Sequence, residues 1–137
     1  MNKKIKLGRR RIDDKSPCYI IAEIGSNHDR NYRQAIRLID AAVSAGADAV
    51  KFQTFRAETL YSRFTPIFSK QKEKPFDIIK RIEMPWEWHT DLKRYCDKVG
   101  IDFCSTPFDL DAVDLLEQLN VPFYKIASSE IDDVFLL

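Results

Sequence analysis

The sequence has no excess of charge of either sign. Lys and Arg number 22 against 21 Asp and Glu, which leaves +1 over 137 residues. One basic cluster stands out, at Lys3, Lys4, Lys6, Arg9, Arg10 and Arg11. It lacks the interleaved aromatics of a nucleic-acid surface and reads as a solvated face. No apolar run approaches membrane-spanning length, and no apolar core of signal-peptide length follows the basic start, so a cytoplasmic location is expected. Cysteine is scarce: Cys18, Cys96 and Cys104 are an odd set at wide spacing, unsuited to a disulfide framework or a zinc site, and are expected to be reduced packing residues. Histidine is scarcer still. His28 sits in a polar loop and reads as a hydrogen-bonding surface residue, His89 sits beside Trp88 and reads as structural, and neither is assigned to a metal.

What remains is ordinary globular composition, 45% hydrophobic and 31% charged, in a length that fits one domain. The chain is organised around Tyr19-Ile-Ile-Ala-Glu-Ile-Gly-Ser-Asn-His28, where an apolar run ends in charge, glycine and hydrogen-bonding side chains. The run predicts a strand buried on both faces, as in parallel sheets. Ligands in α/β folds collect beyond the carboxyl ends of such strands, so Glu23, Ser26, Asn27 and His28 are expected at the mouth of a site.

The pattern then repeats. Before it, Ile5, Leu7 and Ile12 alternate loosely around Gly8 and predict a hairpin that covers one end of the sheet, so that residues 1–17 form a cap and 18–137 the βα units of a single domain. After it, Asn31 caps a helix with Ala35, Leu38, Ile39, Ala42 and Val43 on one stripe, ended by Gly46. A second strand spans Ala47 to Thr54 and carries Lys51, Gln53 and Thr54 toward its carboxyl end. From Phe55 to Pro85 the periodicity loosens around Pro66, Pro75 and the lysines Lys70, Lys72 and Lys74, with a short helical piece near Asp77 to Arg81. Such an excursion is commonly functional or mobile. Pro85 suits the first turn of the next helix, whose buried face is Trp88, Leu92, Tyr95 and Val99 before Gly100. A strand from Ile101 to Thr106 follows, then a helix capped by Asp109 and packed through Ala112, Val113, Leu116 and Leu119. A fourth strand is expected at Pro122 to Ala127, leading to Ser128, Ser129 and Glu130. The order calls for a parallel sheet with right-handed crossovers, and four strands are half of a (β/α)8 barrel.

The strand tips gather Glu23, Asn27 and His28, then Lys51, Gln53 and Thr54, then Ser105 and Thr106, and finally Lys125, Ser128 and Glu130. Two lysines in buried strands are costly unless something anionic neutralises them. A ligand bearing carboxylate and phosphate meets that need. Gln53, Thr106 and Ser128 supply hydrogen bonds, and Glu23 and Glu130 address a polyhydroxylated substrate or move a proton. The alternative is a pair of structural ion pairs, Lys51 with Glu23 and Lys125 with Glu130, without a ligand.

Several segments closely resemble one family. Ile20-Ile-Ala-Glu-Ile-Gly-Ser-Asn-His28, Ala45-Gly-Ala-Asp-Ala-Val-Lys-Phe-Gln-Thr54, Pro85-Trp-Glu-Trp-His89, Phe103-Cys-Ser-Thr-Pro-Phe108 and Tyr124-Lys-Ile-Ala-Ser128 resemble the sialic acid synthases, including N-acetylneuraminate, legionaminate and pseudaminate synthases and spore-coat polysaccharide proteins. The resemblance runs from about Gly8 to the last residue. It implies an α/β enzyme of TIM-barrel type, here the first four βα units behind the hairpin. It also implies condensation of phosphoenolpyruvate with an N-acetylated hexosamine, with a divalent metal such as manganese or magnesium, to give a nine-carbon α-keto acid and phosphate. On this reading Lys51, Thr106, Lys125 and Ser128 contact phosphoenolpyruvate, Gln53 lines the same pocket, and Glu23 and Glu130 lie nearer the sugar; Asn27 is a further candidate substrate-binding residue. Glu23, Lys51 and Lys125 are the candidate catalytic residues. The family's metal-binding histidines and its carboxyl-terminal antifreeze-like domain have no counterpart in this sequence, so the expectation is the amino-terminal half of an enzyme that is homodimeric at full length. Two other readings stay open: a non-catalytic half barrel that binds an anion, and a different (β/α)8 enzyme acting on a sugar phosphate.

Overall fold

In a computed structural model, which describes residues 4–68 and 72–137, three parallel strands share one layer of helices. Lys3 and Lys70 lie outside the described residues. Strands β1 (Ile5–Leu7) and β2 (Arg10–Ile12) form the hairpin, with Gly8 at φ +54° in its turn. A Cβ on Gly8 would lie 1.7 Å from Oδ2 of Asp102, so this turn needs glycine for space as well as for conformation. The hairpin is tied to the amino-terminal end of the sheet. Arg9 donates through its backbone N–H (2.9 Å) and Nε (3.1 Å) to buried Asp102, the Tyr19 hydroxyl donates to the same carboxylate at 2.5 Å, and Arg10 pairs with Asp48 at 2.7 Å. Part of the basic cluster is therefore structural rather than merely solvated.

Strand β3 (Ile21–Gly25) pairs with β4 (Ala49–Thr54), which pairs with β5 (Asp102–Pro107), all parallel. Helix α1 (Tyr32–Ser44) joins the first two strands, capped by the Asn31 side chain, which accepts from the Gln34 N–H. Between β4 and β5 come α2 (Ala57–Leu60), α3 (Pro75–Ile82) and α4 (Trp88–Val99). Helix α5 (Leu110–Gln118) follows β5, and Asp109 caps it by accepting from the Ala112 N–H. Alternation along each strand sorts the side chains into two faces. Ile24, Val50, Phe52 and Phe103 meet Ile39, Leu92, Cys96 and Leu116 in the core on the helix side. The opposite face carries Ile21, Glu23, Ala49, Lys51, Gln53, Cys104 and Thr106. This is α/β architecture of partial TIM-barrel type with the hairpin in front, as expected.

Four expectations are corrected. The first strand is not buried on both faces: Ile20 and Ile21 are 53% and 41% exposed and Glu23 is exposed, because helices cover one face of the sheet only. The fourth strand is reduced to a single parallel bridge, Ser105 to Tyr124, with the Lys125 N–H donating to the Ser105 carbonyl. Pro122 offers no N–H to a ladder, and among the described residues no strand pairs with the far edge of this segment. Pro85 does not begin a helix but lies in the turn before it, its carbonyl accepting from the N–H of Trp88. In α4 the fully buried positions are His89, Leu92 and Cys96, while Trp88, Tyr95 and Val99 pack partly buried around them.

Candidate active site at the strand ends

Lys51 is the centre of the open face. Its residue is 7% exposed, and its ammonium contacts the Glu23 carboxylate at 2.6 Å and Oγ1 of Thr106 at 3.4 Å. The register explains the meeting, since Glu23 and Lys51 are direct partners across β3 and β4, and Lys51 and Gln53 lie opposite Cys104 and Thr106 of β5. Burial pushes the Cys104 thiol up to about 12, against the opposing pull of Lys51, so this sulfur stays protonated and inert near neutrality.

Glu23 differs from its partner in being open to solvent, with a side chain 56% exposed. The pairing register of β3 shifts between Glu23 and Gly25. At Gly25, φ +53°, a Cβ would stand 3.1 Å from Oε1 of Glu23 and 3.2 Å from Oε1 of Gln53. The irregular backbone thus lets two polar side chains converge beside a residue whose positive φ favours glycine. The Ser26 hydroxyl reaches the Gln53 oxygen at 3.4 Å.

The remaining expected residues divide. Lys125 is exposed rather than buried, and pairing of Ser105 with Tyr124 turns it, by alternation, to the face of Lys51. It makes no ion pair with Glu130 among the described residues. Ser128 and Glu130 lie on a short 3-10 turn (Ser128–Glu130), and Glu130 joins Gln53 on the wall of a cavity of about 480 Å3. Phe55, Leu60, Tyr61, Ile79 and Phe108 line it too. The sequence reading assigned none of the five to a site; the length of the excursion after β4 was the available signal for all but Phe108, which follows β5. Asn27 is exposed, and its amide donates to the Ile24 carbonyl at 2.9 Å, closing the turn after β3.

Thr54, Ser105 and His28 do not face the site. Thr54 and Ser105 point to the helix side, where their hydroxyls meet at 2.7 Å and Thr54 reaches Nε2 of His89 at 2.9 Å. Nδ1 of His89 lies 3.1 Å from the Trp86 carbonyl, an acceptor only, so Nδ1 carries the proton and Nε2 accepts from Thr54. Burial lowers the His89 pKa to about 4, and the ring is neutral. His28 is not a surface residue: it is fully buried between Phe52 and Trp88. Its Nδ1 accepts from the Arg30 N–H, and the turn that folds it inward passes through Asp29 and Arg30 at positive φ. Burial lowers its pKa, with Arg30 assisting and Asp29 opposing. Among the described residues no three His, Cys, Asp or Glu side chains converge as a metal-ligand set. The described residues therefore do not by themselves form a site for a resident metal.

Residues 38–137 match the NeuB family. The chain belongs to that family. It is 39% identical over 135 residues to the spore coat polysaccharide biosynthesis protein SpsE of Bacillus subtilis, covering 96% of this chain and 36% of SpsE. It is 40% identical over 123 residues to N,N'-diacetyllegionaminic acid synthase of Legionella pneumophila, covering 85% of this chain and 35% of that enzyme. The crystal structure of N-acetylneuraminic acid (sialic acid) synthetase from Leptospira borgpetersenii, in complex with citrate, superposes with a TM-score of 0.83 at 34% identity. That match covers 99% of this chain and 45% of the solved one. The NeuB chain thus spans little more than a third of the length of the curated relatives it matches. No helix among the described residues is long and apolar enough to cross a membrane.

Proposed function

We propose that this NeuB chain supplies the phosphoenolpyruvate-binding part of a nonulosonic acid synthase, a cytoplasmic enzyme that joins phosphoenolpyruvate to an N-acetylated hexosamine. The observation that carries the reading is Lys51, a buried ammonium whose one charged partner among the described residues is the solvent-exposed carboxylate of Glu23. A buried cation needs an anion, and a solvent-exposed carboxylate loses little on exchange with an incoming one. An incoming carboxylate or phosphate exchanges with Glu23 at Lys51, Thr106 donates a second hydrogen bond, and Lys125 adds charge from the same face. Ser128, at the start of the 3-10 turn that follows Lys125, offers a hydroxyl.

Release from Lys51 leaves Glu23 beside Gln53 as an acceptor for a sugar hydroxyl or for a proton in transfer. Carbon 3 of the enol forms the new bond to the sugar aldehyde, water adds at carbon 2, and phosphate departs to leave the α-keto acid. On this reading the full-length enzyme is a homodimer and takes a divalent metal whose ligands come from outside these residues. The names of the Legionella and Leptospira relatives support acetylated acidic sugars as the product class. The test is phosphate release from phosphoenolpyruvate with manganese and a panel of N-acetylated hexosamines. Residues 1–137 alone should bind phosphoenolpyruvate without turnover, and the same chain extended by the remainder of a relative such as SpsE should release phosphate. An extended protein that is folded yet silent toward the whole panel would overturn the synthase reading.

A further inference from the structure

Asp29 and Arg30 both stand at φ +50°, and the Asn31 N–H donates across them to the His28 carbonyl at 2.8 Å. Two left-handed residues closed by that bond make a type I′ turn, whose central positions favour Asn, Asp and Gly. Asp29 suits its place. Arg30 does not, since a Cβ crowds the left-handed backbone that glycine adopts freely. A residue kept where its backbone is unfavourable points to a role for its side chain.

That side chain reaches from the loop after β3 to the excursion after β4. Arg30 donates through Nη1 to the Lys80 carbonyl at 3.2 Å, and the same nitrogen lies 4.0 Å from Oε1 of Glu83. Lys80 is in the last turn of α3, where the final carbonyls have no partner within the helix and a cation meets the negative end of the dipole. Arg30 thus caps α3 from a different element. Behind the cap, buried Glu83 accepts from the Ala57 N–H at 3.0 Å and pairs with Lys80 at 2.7 Å, which ties α2 to α3. Ile79 and Ile82 of α3 and Leu60 of α2 line the cavity whose wall includes Gln53, and Gln53 is also the residue that Ser26 of the loop reaches. One guanidinium therefore joins both flanks of Gln53, while Lys51 and Thr106 stand on strands that it does not touch. The join adds little to global stability, because the Arg30 side chain is 43% exposed and an ion pair at 4.0 Å in water is weak.

We propose that Arg30 is a positioning residue, a strap that holds α3 against the loop after β3 and thereby sets the acceptor side of the site without altering the anion side. The proposal rests on the synthase reading, in which the acceptor meets Glu23 and Gln53, and deepens it. Arg30→Gly and Arg30→Ala test it by two measurements. In the 137-residue chain, the Glu83 amide donates to the Ile79 carbonyl at 2.9 Å at the end of α3, and it should exchange with solvent at least about five-fold faster in both variants, the factor for one lost hydrogen bond. Arg30→Gly relieves the backbone and should keep or raise the wild-type urea midpoint, whereas Arg30→Ala retains the Cβ and should lower it. In the chain extended by the remainder of SpsE, Arg30→Gly should raise KM for the N-acetylated hexosamine that supports turnover at least about three-fold and leave KM for phosphoenolpyruvate within about two-fold. A cap with a structural role alone would speed the exchange without that split. Unaltered exchange at Glu83, equal midpoints in the two variants, or KM values that change together or not at all would overturn the strap. An extended wild type that is folded yet silent overturns the synthase reading and the role of Arg30 together; an active wild type without the split overturns the role of Arg30 alone.

Discussion

Acidification should unfold this protein through His89. The ring is buried, donates to the Trp86 carbonyl and accepts from Thr54, which is hydrogen-bonded in turn to Ser105. Protonating Nε2 forces Thr54 to turn from donor to acceptor and places a charge on a fully buried ring. The folded pKa is lowered to about 4 from an ordinary 6.5. The unfolded chain therefore binds the proton first, and the sign follows: stability is undiminished above about pH 6.5, falls as pH drops, and has lost this contribution in full below about pH 4. A difference of about 2.5 units at 1.36 kcal/mol each is about 3 kcal/mol. That is a large share of the 5–15 kcal/mol typical of a domain. His28, lowered in the same direction, adds to the slope. Asp48, whose pKa is held down by its bonds from Arg10 and the Ile20 N–H, loses its contribution at lower pH than the histidine window. Urea unfolding at half-unit steps from pH 7.5 to 4.5 would measure the slope in the wild type and in His89→Gln, which cannot titrate. The variant starts less stable, yet its curve should be flatter across pH 4.5–6.5. Parallel curves would refute the reasoning.

Three further outcomes are expected. Asp102→Leu, which removes the acceptor for Arg9 and Tyr19, should cost about 2–4 kcal/mol and release the hairpin, seen as loss of amide protection at Ile5–Leu7; protection retained would count against it. Asp109→Ala should cost about 1–2 kcal/mol in urea unfolding, since one carboxylate caps α5 and also accepts from Arg56 and Thr59; a change below about 0.5 kcal/mol would show that the cap is dispensable. Glu23→Gln should lower stability by about 1 kcal/mol or less, because the carboxylate is more than half exposed, yet impair turnover of an extended, active protein by at least about ten-fold. A lowered melting temperature with an unaltered rate would favour a purely structural ion pair.

The order of elements was legible because periodicity and caps are local. Asn31, Asp109, Gly46 and Gly100 stand at the helix ends where their chemistry placed them. Face and depth were harder to read. An unbroken apolar run such as Tyr19 to Ile24 signals a parallel strand but cannot say whether both faces are covered, and one of them is open. Adjacent residues at a strand tip look equivalent in sequence, yet alternation sends Lys51, Gln53 and Thr106 to the open face and Thr54 and Ser105 into the helix layer. His28 was misjudged because its burial depends on two positive φ angles at Asp29 and Arg30, neither a glycine. The cavity walls come from a stretch without clear periodicity, where sequence carries little positional information.

Calorimetric titration of the 137-residue chain with phosphoenolpyruvate, beside Lys51→Met, tests the anion site most directly. Methionine keeps much of the side-chain volume and removes the charge. The wild type should bind saturably, more weakly as salt is raised, and the variant should keep its fold and lose at least about ten-fold in affinity, as expected for a charge-assisted contact. Equal binding by the folded variant, or no binding by the wild type, would contradict the assignment of Lys51 as the anion anchor.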